Sequence, residues 1–271
     1  YNFAYEHERD RGYDWVEDLW SPGAFNLQLR PASTGSITIT AWTAAPATSL
    51  GDSRASAAAK LSTLTAATAD SAPPAEIATI AKLVAASDDF VVHRAGGDAS
   101  ARSIIAGYPW FSDWGRDSMI ACCGLLLSTT RFDEARSVLS TFASHRRNGL
   151  IPNLFNDQTG EAEYNTADAS LWFLHAACEY LHSSDDSEGF DSLLKPACLD
   201  IIDAYREGTE FGIRVDPRDG LVMAGDATTQ LTWMDAKRDG IAFTPRHGKP
   251  VELSALWHHG LLSVAAAIKQ V

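Results

Sequence analysis

The sequence predicts a mainly α-helical chain whose helices pack as an α/α toroid or barrel, preceded by a few short strands. Three observations carry that prediction. After Pro74 the apolar residues recur with a period near 3.6, and no convincing strand alternation interrupts them. Helices that read as apolar nearly all round alternate with amphipathic ones, the pattern of an inner layer buried inside an outer one. Three of the apolar helices share an entry, an aromatic and acidic segment just before the N-terminus.

Residues 1–45 mix alternating segments such as SITIT (36–40) with turn signals such as Ser21-Pro22-Gly23, and read as short strands. This is too little chain for a β domain of its own, so it reads as the C-terminal end of one. Trp15, Trp20 and Trp42 are expected in its core. Residues 46–74 shift to Ala, Ser, Thr and Pro and read as a linker, with room for a short helix over 55–64. The helical body is 75–271, with helices expected over 75–86, 116–128, 132–146, 166–182, 187–207 and 250–270. Trp172 and Trp257 fall well inside two of these and read as core.

The shared entries are SDWGRD before MIACCGLLL, EYNTAD before ASLWFLHAAC, and HGKPVE before LSALWHHGLLSVAAA. If these inner helices run side by side, their N-termini open at one end and the preceding loops line one cavity. That gathers Trp110, Asp113, Trp114, Arg116, Asp117, Tyr164, Asn165, Asp168, His247, Lys249 and Glu252. The richest segment, YPWFSDWGRDS (108–118), begins at Tyr108 and holds four aromatics, two aspartates and an arginine. Flat aromatic faces stack on sugar rings while Asp and Arg hydrogen-bond hydroxyls, so the expected ligand is a carbohydrate. His247 and Lys249 read either as hydroxyl partners or, for Lys249, as an offset to nearby carboxylates.

Bulk properties narrow the remaining classes. With 271 residues, 45% of them apolar and 21% charged, the chain can bury a sizeable core. A net charge of −13, from 35 acidic against 22 basic residues, would repel a phosphate backbone, so no nucleic-acid partner is expected. Apolar runs such as 119–127 are shorter than the roughly 20 residues that cross a bilayer, so no membrane anchor is expected. The first residues show neither a signal peptide nor an initiating Met, and the chain reads as cut from something longer. Cys122, Cys123, Cys178 and Cys198 lie in apolar helices and read as reduced core residues of a cytoplasmic protein. His258 and His259 diverge on their helix and no third ligand is placed, so neither metal nor cofactor is expected. Oligomeric state leaves no mark in the sequence.

Glycoside hydrolysis usually uses two carboxyls, one donating a proton to the leaving oxygen and one activating water or attacking carbon. In the polar loop GDATTQLTWMDAKRDG (225–240), Asp235 follows Thr232, Trp233 and Met234. An apolar lining favours the protonated form that a general acid needs, while Lys237 and Arg238 pull the other way. Asp235 is the candidate acid, with Trp233 beside it. Arg116 and Asp117 start a helix, where the dipole favours an ionised carboxylate that accepts hydroxyl protons. Asp168, two residues after a Thr166 cap, has the same character. Ser112 and Ser118 lack a His and Asp at nucleophile-like spacing.

Five blocks, RGYDWVEDLWSPGAF, AGYPWFSDWGRDS, EYNTADASLWF, LTWMDAK and TPRHGKPVELSALW, occur in an order that resembles the C-terminal catalytic domain of glycogen debranching enzymes, the amylo-α-1,6-glucosidases. The resemblance implies an (α/α)6 barrel and hydrolysis of α-1,6-linked glucose at trimmed branch points of glycogen-type limit dextrins, with inversion and no metal. It puts Asp235 at the general acid and Trp114, Arg116 and Asp117 where the terminal glucose is held. The opening block then looks like the last strands of the N-terminal β-sandwich of microbial members. The chain departs from the family at Cys122-Cys123-Gly124, where Leu-Pro-Gly is usual. The family's general base is a Glu that falls beyond Val271, so the expectation is about half a barrel, inactive by itself. Two alternatives remain open at this point: a non-catalytic α-glucan-binding protein, and a glucoamylase- or trehalase-like hydrolase on the same scaffold.

Overall fold

A computed structural model describes residues 2–10, 12, 14–19, 23–24, 26, 28, 50–69, 75–94, 101–108, 111–156 and 159–271. The chain divides into two units, Tyr1–Ser49 and Leu50–Val271. In the first, β1 (Asn2–Ala4) pairs antiparallel with β2 (Val16–Asp18), and α1 (Glu6–Asp10) lies between them in sequence. Arg9 covers the ring of Trp15 at 5.3 Å, yet Trp15 stays 39% exposed. The expected core role of Trp15 fails because the described part of this unit has no second layer to bury it. SITIT, Trp20 and Trp42 lie outside the described residues.

The second unit opens with a correction. Where a linker with a short helix was expected, α2 runs over twenty residues, Leu50–Ala69. Alanine is the best helix former and no proline falls within the span. Thr63 and Thr65 return their hydroxyls to the carbonyls of Ala59 and Leu61, so their polar groups do not break the helix. After it come α3 (Ile77–Asp88), α4 (Gly115–Cys122) running into a π-helical turn at Cys123–Leu127, and α5 (Phe132–Ser144). Then follow α6 (Ala169–Ser184), α7 (Ser187–Gly189) with a second π turn (Phe190–Leu194), α8 (Lys195–Glu207) and α9 (Val251–Gln270). Each expected helix of the body is present, shifted by at most three residues at its ends.

Among the described residues, four antiparallel hairpins that the sequence did not predict join these helices. They pair β3 (Val91–His93) with β4 (Arg102–Ile104), β5 (Leu154–Phe155) with β6 (Ala162–Glu163), β7 (Arg214–Val215) with β8 (Val222–Met223), and β9 (Lys237–Arg238) with β10 (Ile241–Ala242). Strands of two or three residues are too short to display an alternation.

Helix α6 sits centrally, packed on both α4 and α9. Ten of its sixteen residues are buried, as its apolar sequence predicts. The amphipathic α5 buries Ala135, Val138, Leu139, Phe142 and Ala143 along one stripe and forms part of an outer layer. Helix α9 departs from expectation, since it buries only Leu253, Trp257, Gly260, Val264 and Ala267 and leaves Val251 and Leu262 exposed. It is also long and apolar enough to cross a membrane by length and composition. Gly, Ser and His break the segment into shorter apolar runs, although its only Asp, Glu, Lys or Arg side chains are Glu252 and Lys269.

Polar pins fix the layers. Arg131, with its side chain 2% exposed, binds Glu134 of α5 and reaches Asp88 of α3 at 2.8 Å, while Lys60 of α2 reaches Asp88 at 2.7 Å. All four cysteines are free thiols. Burial pushes the Cys122 thiol up to about 12, so it behaves as a small core residue.

Candidate active site

The N-termini of α4, α6 and α9 open on one cavity of about 480 Å³, lined by Arg116, Ile120, Asp168, Trp172, Trp233, Glu252, Ala255, Leu256 and His259. One residue from the start of each helix is charged. Arg116 lies in the first turn of α4, Asp168 caps α6, and Glu252 lies in the first turn of α9. The shared entry grammar therefore does place polar groups together, because the polar residues sit where backbone N–H groups are still unpaired.

Helix α4 starts where it does because Gly115 passes against another stretch of backbone. Its amide donates to the Asn153 carbonyl at 2.8 Å, and a Cβ built there would come within 2.0 Å of the Pro152 carbonyl oxygen. That contact aims the next residue, Arg116, into the cavity. Its guanidinium binds two carboxylates: Nη1 lies 3.0 Å from Asp168 Oδ2, and Nη2 lies 3.2 Å from Asp235 Oδ2. Asp168 is 2% exposed and also accepts from Thr166 Oγ1 at 2.8 Å. Burial raises its carboxyl above the usual aspartate value even though Arg116 and Thr166 pull it down. Asp235 is more open, with its side chain 35% exposed.

The cation that reaches Asp235 is not the one the sequence suggests. Lys237 and Arg238 are exposed on the β9–β10 hairpin, and Arg238 leans toward Asp239 at 3.9 Å. Arg116 takes their place from 119 positions away. Trp233, an expected site residue, contributes an aromatic wall to the cavity and is 59% exposed. Glu252 is held by Arg246, whose Nε donates to Oε1 at 2.8 Å. Burial acts to raise the Glu252 carboxyl, but Arg246 overrides it and holds the group below the usual range.

The other expected site residues lie elsewhere. Asp113 is buried and accepts from Arg94 at 2.6 Å and from Ser103 at 2.7 Å, both on its Oδ2. Tyr108 is 63% exposed and donates to the Asp89 carbonyl. Tyr164 donates to the His145 carbonyl at 2.6 Å beneath the guanidinium of Arg147, and Asn165 donates to the Gln230 carbonyl at 3.3 Å. Trp114 caps α4 with extended backbone, and Asp117 is half-buried in the first turn. Neither lines the cavity. Lys249 spans Asp216 at 2.7 Å and Asp219 at 2.6 Å, the carboxylate offset rather than a cavity contact, and with Arg218 it holds Asp216 well below the usual range. His247 is exposed, and Trp110 lies outside the described residues.

Trp172, Ile120 and His259 line the cavity without having been expected there, and Arg246 holds the cavity's Glu252. Trp172, one turn into α6, packs against the core and also lines the cavity, while Trp257 stacks in the core on Tyr205 at 5.9 Å. A tryptophan at the fourth helical position can face either way, and periodicity alone could not choose. Ile120 and His259 come from the second and third turns of their helices, deeper than an entry motif reaches. Arg246 could have been found only by its spacing of six from Glu252, which is not a helical pairing distance.

Comparison with known proteins returns two family matches. Residues 85–271 match the family described as amylo-alpha-1,6-glucosidase, and residues 1–35 match the one described as glycogen debranching enzyme N terminal. Among curated proteins, the glycogen debranching enzyme of Saccharomyces cerevisiae (strain ATCC 204508 / S288c) is 29% identical over 212 residues. That match takes in 57% of this chain and 14% of the yeast protein's length, so the chain spans a small part of that relative.

Proposed function

Because the chain belongs to the amylo-α-1,6-glucosidase family, we propose that it carries the sugar-holding and proton-donating part of a glycoside hydrolase that removes α-1,6-linked glucose from branch points of glycogen-type limit dextrins. The observation that carries the proposal is Arg116, which lines an aromatic-walled cavity with a buried carboxylate, Asp168, and also binds a more accessible one outside the cavity lining, Asp235. Asp235 is assigned proton donation to the glycosidic oxygen, being the carboxyl of the cluster that a substrate can reach. Asp168 and Arg116 form a neutralised pair suited to hydroxyl recognition, and Trp172 and Trp233 offer the flat faces that sugar rings stack on.

Glu252 also faces the cavity, but its ion pair with Arg246 makes it a weaker base, suited to accept a hydrogen bond from a sugar hydroxyl better than to take a proton from water. We assign the water-activating base outside residues 1–271, as the resemblance implies, with inversion at the anomeric carbon and the helices completing an (α/α)6 barrel. A neutral glucan suits a protein of net charge −13, and free thiols at all four cysteines suit the cytoplasm where glycogen is stored.

The test is Asp235→Asn in the full-length protein. Glucose release from limit dextrin should fall by about 10²- to 10⁴-fold, the usual contribution of a general acid, while dextrin affinity stays near that of the parent. Unchanged turnover would remove Asp235 from the mechanism.

A further inference from the structure

His259 reaches the cavity from the third turn of α9, and the proposed mechanism gives it no part. Its ring does not stand alone. Nε2 of His259 lies 3.0 Å from Nδ1 of His175 on α6, with Ser263 Oγ 3.4 Å from the same nitrogen. On its far side, Nε2 of His175 meets Cys123 Sγ at 3.8 Å, and the edge of Trp172 packs against the His175 ring at 5.8 Å. The π turn after α4 and the α6 residue Trp172 thus flank His175, and His175 fixes His259 on α9.

Two imidazole nitrogens 3.0 Å apart can share only one proton between them, one ring donating and the other accepting. In either arrangement Nδ1 of His259 is its remaining polar atom, an N–H donor if Nε2 accepts and a lone pair if Nε2 donates. A sugar hydroxyl can satisfy both cases. We propose that His259, oriented by His175, is a hydroxyl-binding residue of this cavity, contacting the neutral glucoside that the functional reading above assigns to it and resting on that reading.

Protonation provides a readout. If both rings are cationic, two N–H groups oppose each other at hydrogen-bond distance and the pair opens. The charged and titratable groups around it are Arg116 from α4, Cys123 from the π turn after it, Asp168 and Glu179 from α6, Glu252 from α9, and Arg246 from the preceding loop. Burial already holds His175 below the usual histidine value, with Glu179 opposing the shift and His259 adding to it.

The experiment is calorimetric titration of the full-length protein with isomaltose. His259→Ala should weaken binding about tenfold, the worth of one good hydrogen bond, without lowering the unfolding temperature, because the side chain is exposed. His175→Ala should do the same by releasing the ring, and His175→Asn, which puts a polar atom back near Nδ1, should restore affinity. Because burial holds His175 below the usual histidine value, wild-type affinity should hold near neutral pH and fall on acidification through that lowered range, and His259→Ala should lose that dependence. Affinity of His259→Ala within about twofold of wild type, alongside loss in Trp172→Ala, overturns the contact and leaves the glucan site standing. Failure of the wild-type protein itself to bind isomaltose or maltotriose overturns the glucan site and the contact with it.

Discussion

Arg116 divides one guanidinium between a carboxylate that is almost fully buried and one that is a third exposed. The two halves have different consequences. Removing Asp168 leaves a half-buried cation without its main partner, and Asp168→Ala should cost about 3–5 kcal/mol in urea unfolding. The pH dependence carries its own sign. Because its pKa is raised, folded Asp168 holds its proton more tightly than the unfolded chain does. Its effect is therefore a loss of stability as pH rises from the ordinary aspartate value through the raised one. Asp168→Asn should flatten that stretch of the stability curve, and an unchanged slope would show that another group sets it. Residue types at this scale were legible in the sequence; their partners were not. Asp113, Tyr164 and Lys249 have the same chemistry as the cavity residues, but Arg94, the His145 carbonyl and the Asp216–Asp219 pair already occupy them.

At the scale of elements, two glycines set how closely helices approach their neighbours. A Cβ at Gly260 would meet Leu174 Cδ1 at 2.8 Å, so the α6–α9 seam closes on the bare backbone of α9. Gly115 is tighter, since the obstacle is a carbonyl oxygen that cannot rotate away. Gly115→Ala should destabilise by about 1–3 kcal/mol or more through overpacking. It should also weaken glucoside binding by displacing Arg116, and normal affinity would show that the first turn of α4 can shift without moving the guanidinium. Helix positions themselves followed from periodicity, because an α-helix buries every third or fourth residue wherever it packs. The hairpins did not, and neither did α2, whose alanine-rich composition fits a loose connection and a helix equally well.

For the molecule as a whole, the charge balance makes the clearest prediction. A neutral glucan releases no counterions on binding, so dextrin affinity should vary little between about 0.05 and about 0.5 M salt, measured by titration. A steep salt dependence would point to an anionic ligand instead. The sequence by itself determined the helical body, its apolar faces, the aromatic and acidic composition of its entry segments and the family those segments resemble. Each of these is written locally, in a period, a cap or a short block. Only the tertiary structure decided which polar groups are committed to one another and which face the cavity. Arg116 meets Asp235 across 119 positions, Lys249 meets Asp216 across 33, and His175 meets His259 across 84. The entry motif at 108–118 is divided by the same rule: Arg116 reaches the cavity while Asp113 pins a hairpin, because a side chain's role depends on what folding brings within about 3 Å of it.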